Sequence, residues 1–202
     1  MPRIYYRLLN NAEITVWSAN EKTDFYRDYL KVNNFPISAA EVIKNKEKQR
    51  QWYVSRYVLS QSYPEAIQYY SNQKPVLMNG PRISLSHSKN EVAIMFSHGE
   101  GGIDIQWPEK KLLRIAEKYV LNEDLNTLDG LSKMEAHTLI WSVKEAIFKF
   151  YGTGVAFKSI RLTKYDPVHN TVHSEVSRPE RVVEKILCAD FINEMAIAYI
   201  LE

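Results

Sequence analysis

Residues 141–149 read WSVKEAIFK, and they lie inside a longer stretch whose apolar periodicity predicts one strong helix. Ser132 can cap the start of this helix together with Glu135 three residues later, in the pattern of a capping box. Gly152 and Gly154 predict its end. The residues on its apolar side are Leu139, Ile140, Val143, Ala146, Ile147 and Phe150.

About forty residues upstream, residues 102–106 read GIDIQ, an alternation that predicts a β-strand. Side chains two residues apart in a strand point the same way, so Asp104 and Gln106 share one face. Ile103 and Ile105 face the opposite side, toward a core. The glycine pair that precedes the strand would let a ligand or another backbone approach closely.

The two segments carry side chains that suit phosphate chemistry. Glu145 and Lys149 lie four residues apart on the predicted helix and are therefore neighbours on its surface. An acid on a strand, combined with an acid and a lysine on a helix, is what a divalent metal with a phosphorylated ligand requires. Taken singly, each feature is more typical of a surface ion pair or of the polar edge of a half-buried strand.

The distribution of charge and glycine indicates two halves. The chain has 202 residues, a length that allows one large domain or two small ones. Residues 1–98 carry a net charge of +5, and residues 99–202 carry −3. Three of the seven glycines fall at residues 99–102. We therefore predict an N-terminal half of residues 1–98 and a C-terminal half of residues 99–202.

Bulk properties exclude several classes of protein. A net charge of only +2 gives no indication of nucleic-acid or membrane binding. Cys188 is the only cysteine, so an intrachain disulfide is excluded and a reducing compartment is expected. The sequence lacks a secretory signal, a run of about 20 apolar residues, a phosphate loop and a dinucleotide fingerprint. A cytoplasmic protein that does not associate with membranes is the expectation.

Strands mixed with a few helices predict an α+β fold. Helices are predicted over residues 20–30, 38–59 and 109–119, with a polar connection over residues 122–131. Strands are predicted around residues 74–77, 83–88 and 92–96, and in four segments after residue 160. His87 comes at the end of one of these strands, where it could contact a phosphate or exchange a proton.

Several motifs recur in a fixed order and resemble the 4′-phosphopantetheinyl transferase superfamily. The order and the motifs are those of its longer, single-chain subtype, the surfactin-synthetase-activating type, and the resemblance runs from about residue 50 to residue 154. The motifs are the arginines Arg50 and Arg56, Lys74-Pro75, SLSHS at residues 84–88, GIDI at residues 102–105 and WSxKEAxxK at residues 141–149.

The resemblance implies a reaction of the holo-[acyl-carrier-protein] synthase type. Coenzyme A would donate its 4′-phosphopantetheine arm to a serine of an apo acyl, peptidyl or polyketide carrier protein, with release of adenosine 3′,5′-bisphosphate. A magnesium ion would bind the pyrophosphate. Such a reaction needs charge neutralisation and an oriented nucleophile more than unusual side chains.

The resemblance also assigns roles in the C-terminal half. Asp104 and Glu145 match the metal-binding acids, and Glu145 is the candidate base for the serine proton, directly or through water. Lys149 matches the lysine that contacts the pyrophosphate. The family commonly has a further acid where this chain has Gln106, whose amide oxygen is a poorer magnesium ligand than a carboxylate. Magnesium binding is therefore expected to be weaker, or a water fills that position.

Coenzyme A contacts are expected from the N-terminal half. His87, with Ser86 beside it, matches the histidine that contacts a phosphate of coenzyme A. Lys74 matches the lysine near the adenine nucleotide. Either Arg50 or Arg56 falls where the family places an arginine for the 3′-phosphate.

The fold implied by the resemblance has two similar α+β halves related by a pseudo-twofold axis, with the site in the cleft between them. A monomer is expected because one chain supplies both halves, and a basic rim is expected for an acidic carrier protein. Gln106 motivates one alternative, a weak or inactive homologue that binds coenzyme A or a carrier protein without turnover.

Overall fold

A computed structural model of the chain describes residues 1–64, 74–78, 80–152 and 154–202, together with the backbone of residues 68–71. The chain divides into two compact units, Met1–Phe96 and Ser97–Glu202. Both units combine an antiparallel sheet with helices, so the predicted α+β fold with two similar halves is confirmed. The pseudo-twofold axis and the shared cleft remain predictions.

In the N-terminal unit, the helices lie in sequence between a first hairpin and a second group of strands. The order of the described strands in its sheet is β1-β2-β6-β5-β4-β3. The elements are β1 (Arg3–Leu9), β2 (Ala12–Ser18), α1 (Thr23–Val32), α2 (Ser38–Glu41), α3 (Lys46–Ser62), β3 (Gln68–Ser71), β4 (Lys74–Leu77), β5 (Arg82–Ser88) and β6 (Glu91–Ser97).

In the C-terminal unit, one strand precedes the helices and the remaining strands follow them. The order of the described strands is β7-β11-β10-β9-β8, and every neighbouring pair is antiparallel. The elements are β7 (Gly101–Gln106), α4 (Lys110–Arg114), α5 (Asn122–Thr127), α6 (Lys133–Tyr151), β8 (Ile160–Asp166), β9 (Thr171–Arg178), β10 (Arg181–Ile192) and β11 (Met195–Leu201).

The two units repeat one topology. In each, the strand before the helices pairs with the last strand of the unit, β2 with β6 and β7 with β11. The other strands then follow in reverse chain order, which gives β2-β6-β5-β4-β3 in one unit and β7-β11-β10-β9-β8 in the other. The N-terminal unit adds β1 at the edge. The long helix α3 therefore takes the place in its unit that α6 takes in the other.

Helix α6 forms the centre of the C-terminal unit, as its periodicity predicts. Its Ser132 hydroxyl accepts a hydrogen bond from the Glu135 backbone N–H, and the Glu135 carboxylate accepts one from the Ser132 N–H at 2.8 Å. Gly152 follows the helix with φ 77°, in the left-handed region that favours glycine. All the predicted apolar positions are buried, namely Leu139, Ile140, Val143, Ala146, Ile147 and Phe150.

The predictions for the other helices are partly wrong. The region 109–119 forms only the short helix α4 followed by a 3₁₀ turn at Ala116–Lys118. The region 122–131, predicted as a polar connection, begins with helix α5. The region 38–59 contains two helices, and Asn45 starts the second by accepting a hydrogen bond from the Lys48 N–H at 3.0 Å. None of the helices among the described residues is long and apolar enough to cross a membrane.

Helix α6 packs directly against strand β7 because Gly102 has no side chain. A Cβ atom at Gly102 would lie 2.1 Å from the Ala146 carbonyl oxygen and 2.8 Å from the Phe150 backbone nitrogen. The close approach that was expected at the glycine pair is therefore made by the backbone of α6. This contact brings the strand that carries Asp104 against the helix that carries Glu145.

We expect Gly102→Ala to lower the free energy of unfolding by at least about 1–3 kcal/mol, the usual cost of overpacking a core. The cost falls on backbone atoms, which cannot rotate away as a side chain can. Urea denaturation would measure the loss. Gly99→Ala is the matched control, since its Cβ would meet only Glu202 side-chain atoms at 3.7 Å or more. Equal stability of the two variants would contradict this account of the contact.

Candidate active site

Asp104 and Lys149 form an ion pair between strand β7 and helix α6. The Lys149 ammonium donates to Asp104 Oδ1 at 2.7 Å and to the Ile103 carbonyl oxygen at 2.9 Å. Asp104 is only 5% exposed, on the face of β7 that packs against α6. Opposite it on β11 stands Ala198, which leaves the carboxylate the space that a larger residue would take.

Glu145 lies one helical turn before Lys149 and is half-buried. Burial raises the pKa of its carboxyl group, and the negative charge of Asp104 raises it further, whereas Lys149 lowers it. The two carboxylates are therefore close enough to repel each other. Asp104, Glu145 and Lys149, predicted from separate segments, meet at one place in this unit.

The donor set at this place suits a magnesium ion. Two carboxylates beside one ammonium carry a net negative charge, and a divalent cation would relieve the repulsion between them. Magnesium commonly binds through one or two carboxylates and completes its shell with water and substrate phosphates. Among the residues that the structure describes, no cluster of three or more His, Cys, Asp or Glu side chains is suited to a metal.

Gln106 lies at the end of β7 on the same face as Asp104. Its amide nitrogen donates a hydrogen bond to the Trp107 carbonyl oxygen at 2.7 Å. Its cross-strand neighbour is Ala196, another small residue. Where a carboxylate would add a third negative charge, this chain has a neutral amide held by its own backbone.

Comparison with known protein families matches residues 101–184 to the 4′-phosphopantetheinyl transferase superfamily. The matched segment covers most of the C-terminal unit. The match contains Asp104, Gln106, Glu145 and Lys149, so the resemblance read from the motifs is confirmed for the superfamily, while the subtype stays a prediction. A search of curated proteins gave no match.

The residues predicted to contact coenzyme A lie in the N-terminal unit, outside the segment that matches the transferase superfamily. Arg50 binds the carbonyl oxygens of Ala19 and Glu21, and so connects α3 to the chain that follows β2. Arg56 stacks on the Trp52 ring at 4.1 Å. Their roles toward coenzyme A remain predictions.

Ser86 and His87 are consecutive residues in β5, so their side chains point to opposite faces of the sheet. His87 shares its face with Ile83 and Leu85, which pack in the core of the N-terminal unit. The coenzyme A contacts of Ser86 and His87 remain predictions. Lys74 begins the neighbouring strand β4.

One group inside the C-terminal unit was missed by the sequence reasoning. Lys144 is fully buried, and its ammonium donates to Asp124 Oδ2 at 2.6 Å and to the Tyr119 carbonyl oxygen at 2.7 Å. Asp124 also accepts backbone hydrogen bonds from Leu121 and Leu162, each at 2.8 Å. A signal existed, because Lys144 falls between Ile140 and Ile147 on the apolar side of the helix.

Proposed function

We propose that this protein transfers the 4′-phosphopantetheine arm of coenzyme A to a serine of an apo carrier protein, in a magnesium-dependent reaction. The observation that carries the proposal is the meeting of Asp104, Glu145 and Lys149 inside the segment that matches the transferase superfamily. A buried acid pair with one ammonium fits a reaction at a pyrophosphate better than it fits a structural role alone.

Asp104 and Glu145 would hold the magnesium ion, and the Gln106 amide oxygen is the further candidate ligand. When bound, the ion would supply neutralisation of the charge on the pyrophosphate. Asp104 is prepared for this role because its strand is fixed by the contact between Gly102 and α6. Lys149 holds the Asp104 carboxylate in place through their ion pair.

In the transfer step, the serine oxygen forms a bond to the phosphorus that carries pantetheine. The bond between this phosphorus and the bridging oxygen breaks, and its electron pair leaves with adenosine 3′,5′-bisphosphate. Glu145 takes the serine proton, directly or through a water molecule. The raised pKa of Glu145 makes its carboxylate a stronger base than an exposed glutamate. Lys149 stabilises the charge that develops on the leaving phosphate.

The N-terminal unit would bind the nucleotide part of coenzyme A through Lys74, His87 and one of the two arginines, Arg50 or Arg56. The positive charge of this half supports the assignment, because coenzyme A carries several negative charges. The partners would be coenzyme A and a carrier protein, and a monomer in the cytoplasm remains the expectation.

The release of adenosine 3′,5′-bisphosphate tests the proposal. The protein would be incubated with coenzyme A, magnesium and an apo carrier protein, and the products separated by chromatography. We expect one bisphosphate per carrier, and none from a carrier whose acceptor serine is replaced by alanine. Tight binding of coenzyme A without any release would instead support the alternative of a non-catalytic binder.

We expect Gln106→Glu to increase magnesium affinity by about tenfold, or roughly 1.4 kcal/mol, because it adds a carboxylate beside Asp104. Without metal, the same change should lower the melting temperature, since three acids then repel one another. Thermal melts over a magnesium titration would measure both effects. Gln106→Met, which removes the amide without adding charge, is the control. Equal magnesium affinity in wild type and Gln106→Glu would exclude position 106 from the metal site.

A further inference from the structure

A cluster of cations surrounds Tyr151, the last residue of helix α6. The Arg178 guanidinium lies 5.0 Å from the centre of the Tyr151 ring. The Lys185 ammonium lies 4.5 Å from the centre of the Phe150 ring and 5.7 Å from that of Tyr151. Burial raises the pKa of Tyr151, and the positive charges of Arg178 and Arg181 oppose the rise. We call Tyr151, Arg178, Arg181 and Lys185 the basic cluster.

The strand register brings the charges of the basic cluster together. Arg178 ends β9 and Arg181 begins β10, and the two arginines stand directly opposite each other across the hairpin. Lys185 lies four residues after Arg181 in the same strand, and therefore on the same face. Like charges placed directly opposite in a sheet destabilise it, so stability alone does not account for this arrangement.

The chain itself offers little compensation for these charges. In the part of the chain that the structure describes, Arg178, Arg181 and Lys185 form no ion pair with a carboxylate. Glu184 lies on the opposite face of β10, and Glu180 lies in the turn of the hairpin. Both arginines are exposed. The α6 C-terminus and the aromatic rings favour cations here, but they do not require three of them.

We propose that the basic cluster is the docking surface for an acidic segment of the acceptor protein, a refinement that rests on the proposed function. Charge complementarity identifies the partner as acidic, and the partly exposed Tyr151 ring adds apolar contact area beside the charges. The position fits an acceptor, because Tyr151 follows Lys149 by two residues in α6. At a rise of 1.5 Å per residue, the cluster begins about 9 Å along the helix axis from Glu145.

The test is a double variant, Arg178→Gln with Arg181→Gln, compared with Lys118→Gln together with Lys164→Gln. The control removes the same charge from exposed positions of the same unit. We expect the KM for an acidic apo carrier to rise about tenfold in the first variant only, with kcat and the KM for coenzyme A unchanged. Added salt should weaken carrier binding to wild type more than to this variant.

An unchanged carrier KM would overturn the proposal, and so would a loss of coenzyme A affinity, which would assign the cluster to the phosphates of coenzyme A. Lys185→Met extends the test to the third cation. It removes the charge but keeps an apolar side chain in contact with Phe150. Calorimetric titration of the protein with the carrier distinguishes a failure of the docking surface from a failure of the proposed function. If wild type shows no transfer but binds the carrier through these arginines, the docking surface stands and the proposed function fails.

Discussion

Glu145→Gln is expected to abolish transfer, with kcat lowered by at least about a hundredfold, the usual effect of removing a general base. Glutamine has nearly the same shape but neither takes the serine proton nor brings a negative charge to a metal. A stopped assay of carrier modification at saturating coenzyme A would measure the loss. Glu135→Gln on the same helix is the control, because Glu135 serves the capping box. Full activity of Glu145→Gln would contradict the role of Glu145 as base.

The same variant should not unfold the protein. In the absence of metal, burial and Asp104 raise the pKa of Glu145 above its ordinary value of 4.5. A carboxyl group whose pKa is raised by folding costs stability once it ionises, so the folded state loses stability as pH rises above the unfolded value. Glu145→Gln removes this cost. Its stability relative to wild type should therefore increase between pH 4.5 and the folded pKa, and stay constant above it.

Differential scanning calorimetry without metal, over a series of pH values, would measure this difference. A lower melting temperature for Glu145→Gln at every pH would show that Glu145 makes a stabilising contact. Such a result would contradict the view that Glu145 is buried for its role as a base and not for stability.

Asp124→Asn is expected to destabilise the protein by about 3–5 kcal/mol, the cost of leaving a buried charge without its partner. Both Lys144 and Asp124 are 0% exposed, so water does not replace the lost ion pair. Burial lowers the pKa of Lys144, and Asp124 opposes this effect. Urea denaturation at neutral pH would measure the change.

A double-mutant cycle sharpens this prediction. Lys144→Met should be comparably destabilising, since it leaves the Asp124 carboxylate buried with only its backbone donors. The double variant should lose less stability than the two single losses combined, because neither charge then remains. Additive losses would mean that the two side chains act independently, in contradiction with the 2.6 Å contact between them.

Local patterns in the sequence predict much of the fold. The capping box and apolar positions identify α6, and alternation identifies β5 and β7, because periodicity reports which side of an element is buried. Asp104 and Glu145 were predicted as site residues from the order of the motifs, and not from their positions in space. Their proximity depends on Gly102, whose neighbours Ala146 and Phe150 are distant in sequence.

Long-range partners explain what the sequence reasoning missed. Lys144 resembled an unimportant neighbour of Glu145, since its partner Asp124 lies in a segment predicted as a connection. Arg178 and Arg181 become opposed only through the hairpin register. Arg50 donates hydrogen bonds to the backbone carbonyl oxygens of residues 19 and 21, and a pattern of side chains in the sequence cannot predict such contacts.

The proposed transfer is tested by the mass of an apo carrier protein after incubation with this protein, coenzyme A and magnesium. The account predicts a gain of about 340 Da on the acceptor serine, the mass of the phosphopantetheine arm that the cofactor carries. The gain should be absent with Glu145→Gln. A carrier whose mass stays unchanged at every magnesium concentration, with the protein folded, would contradict the account.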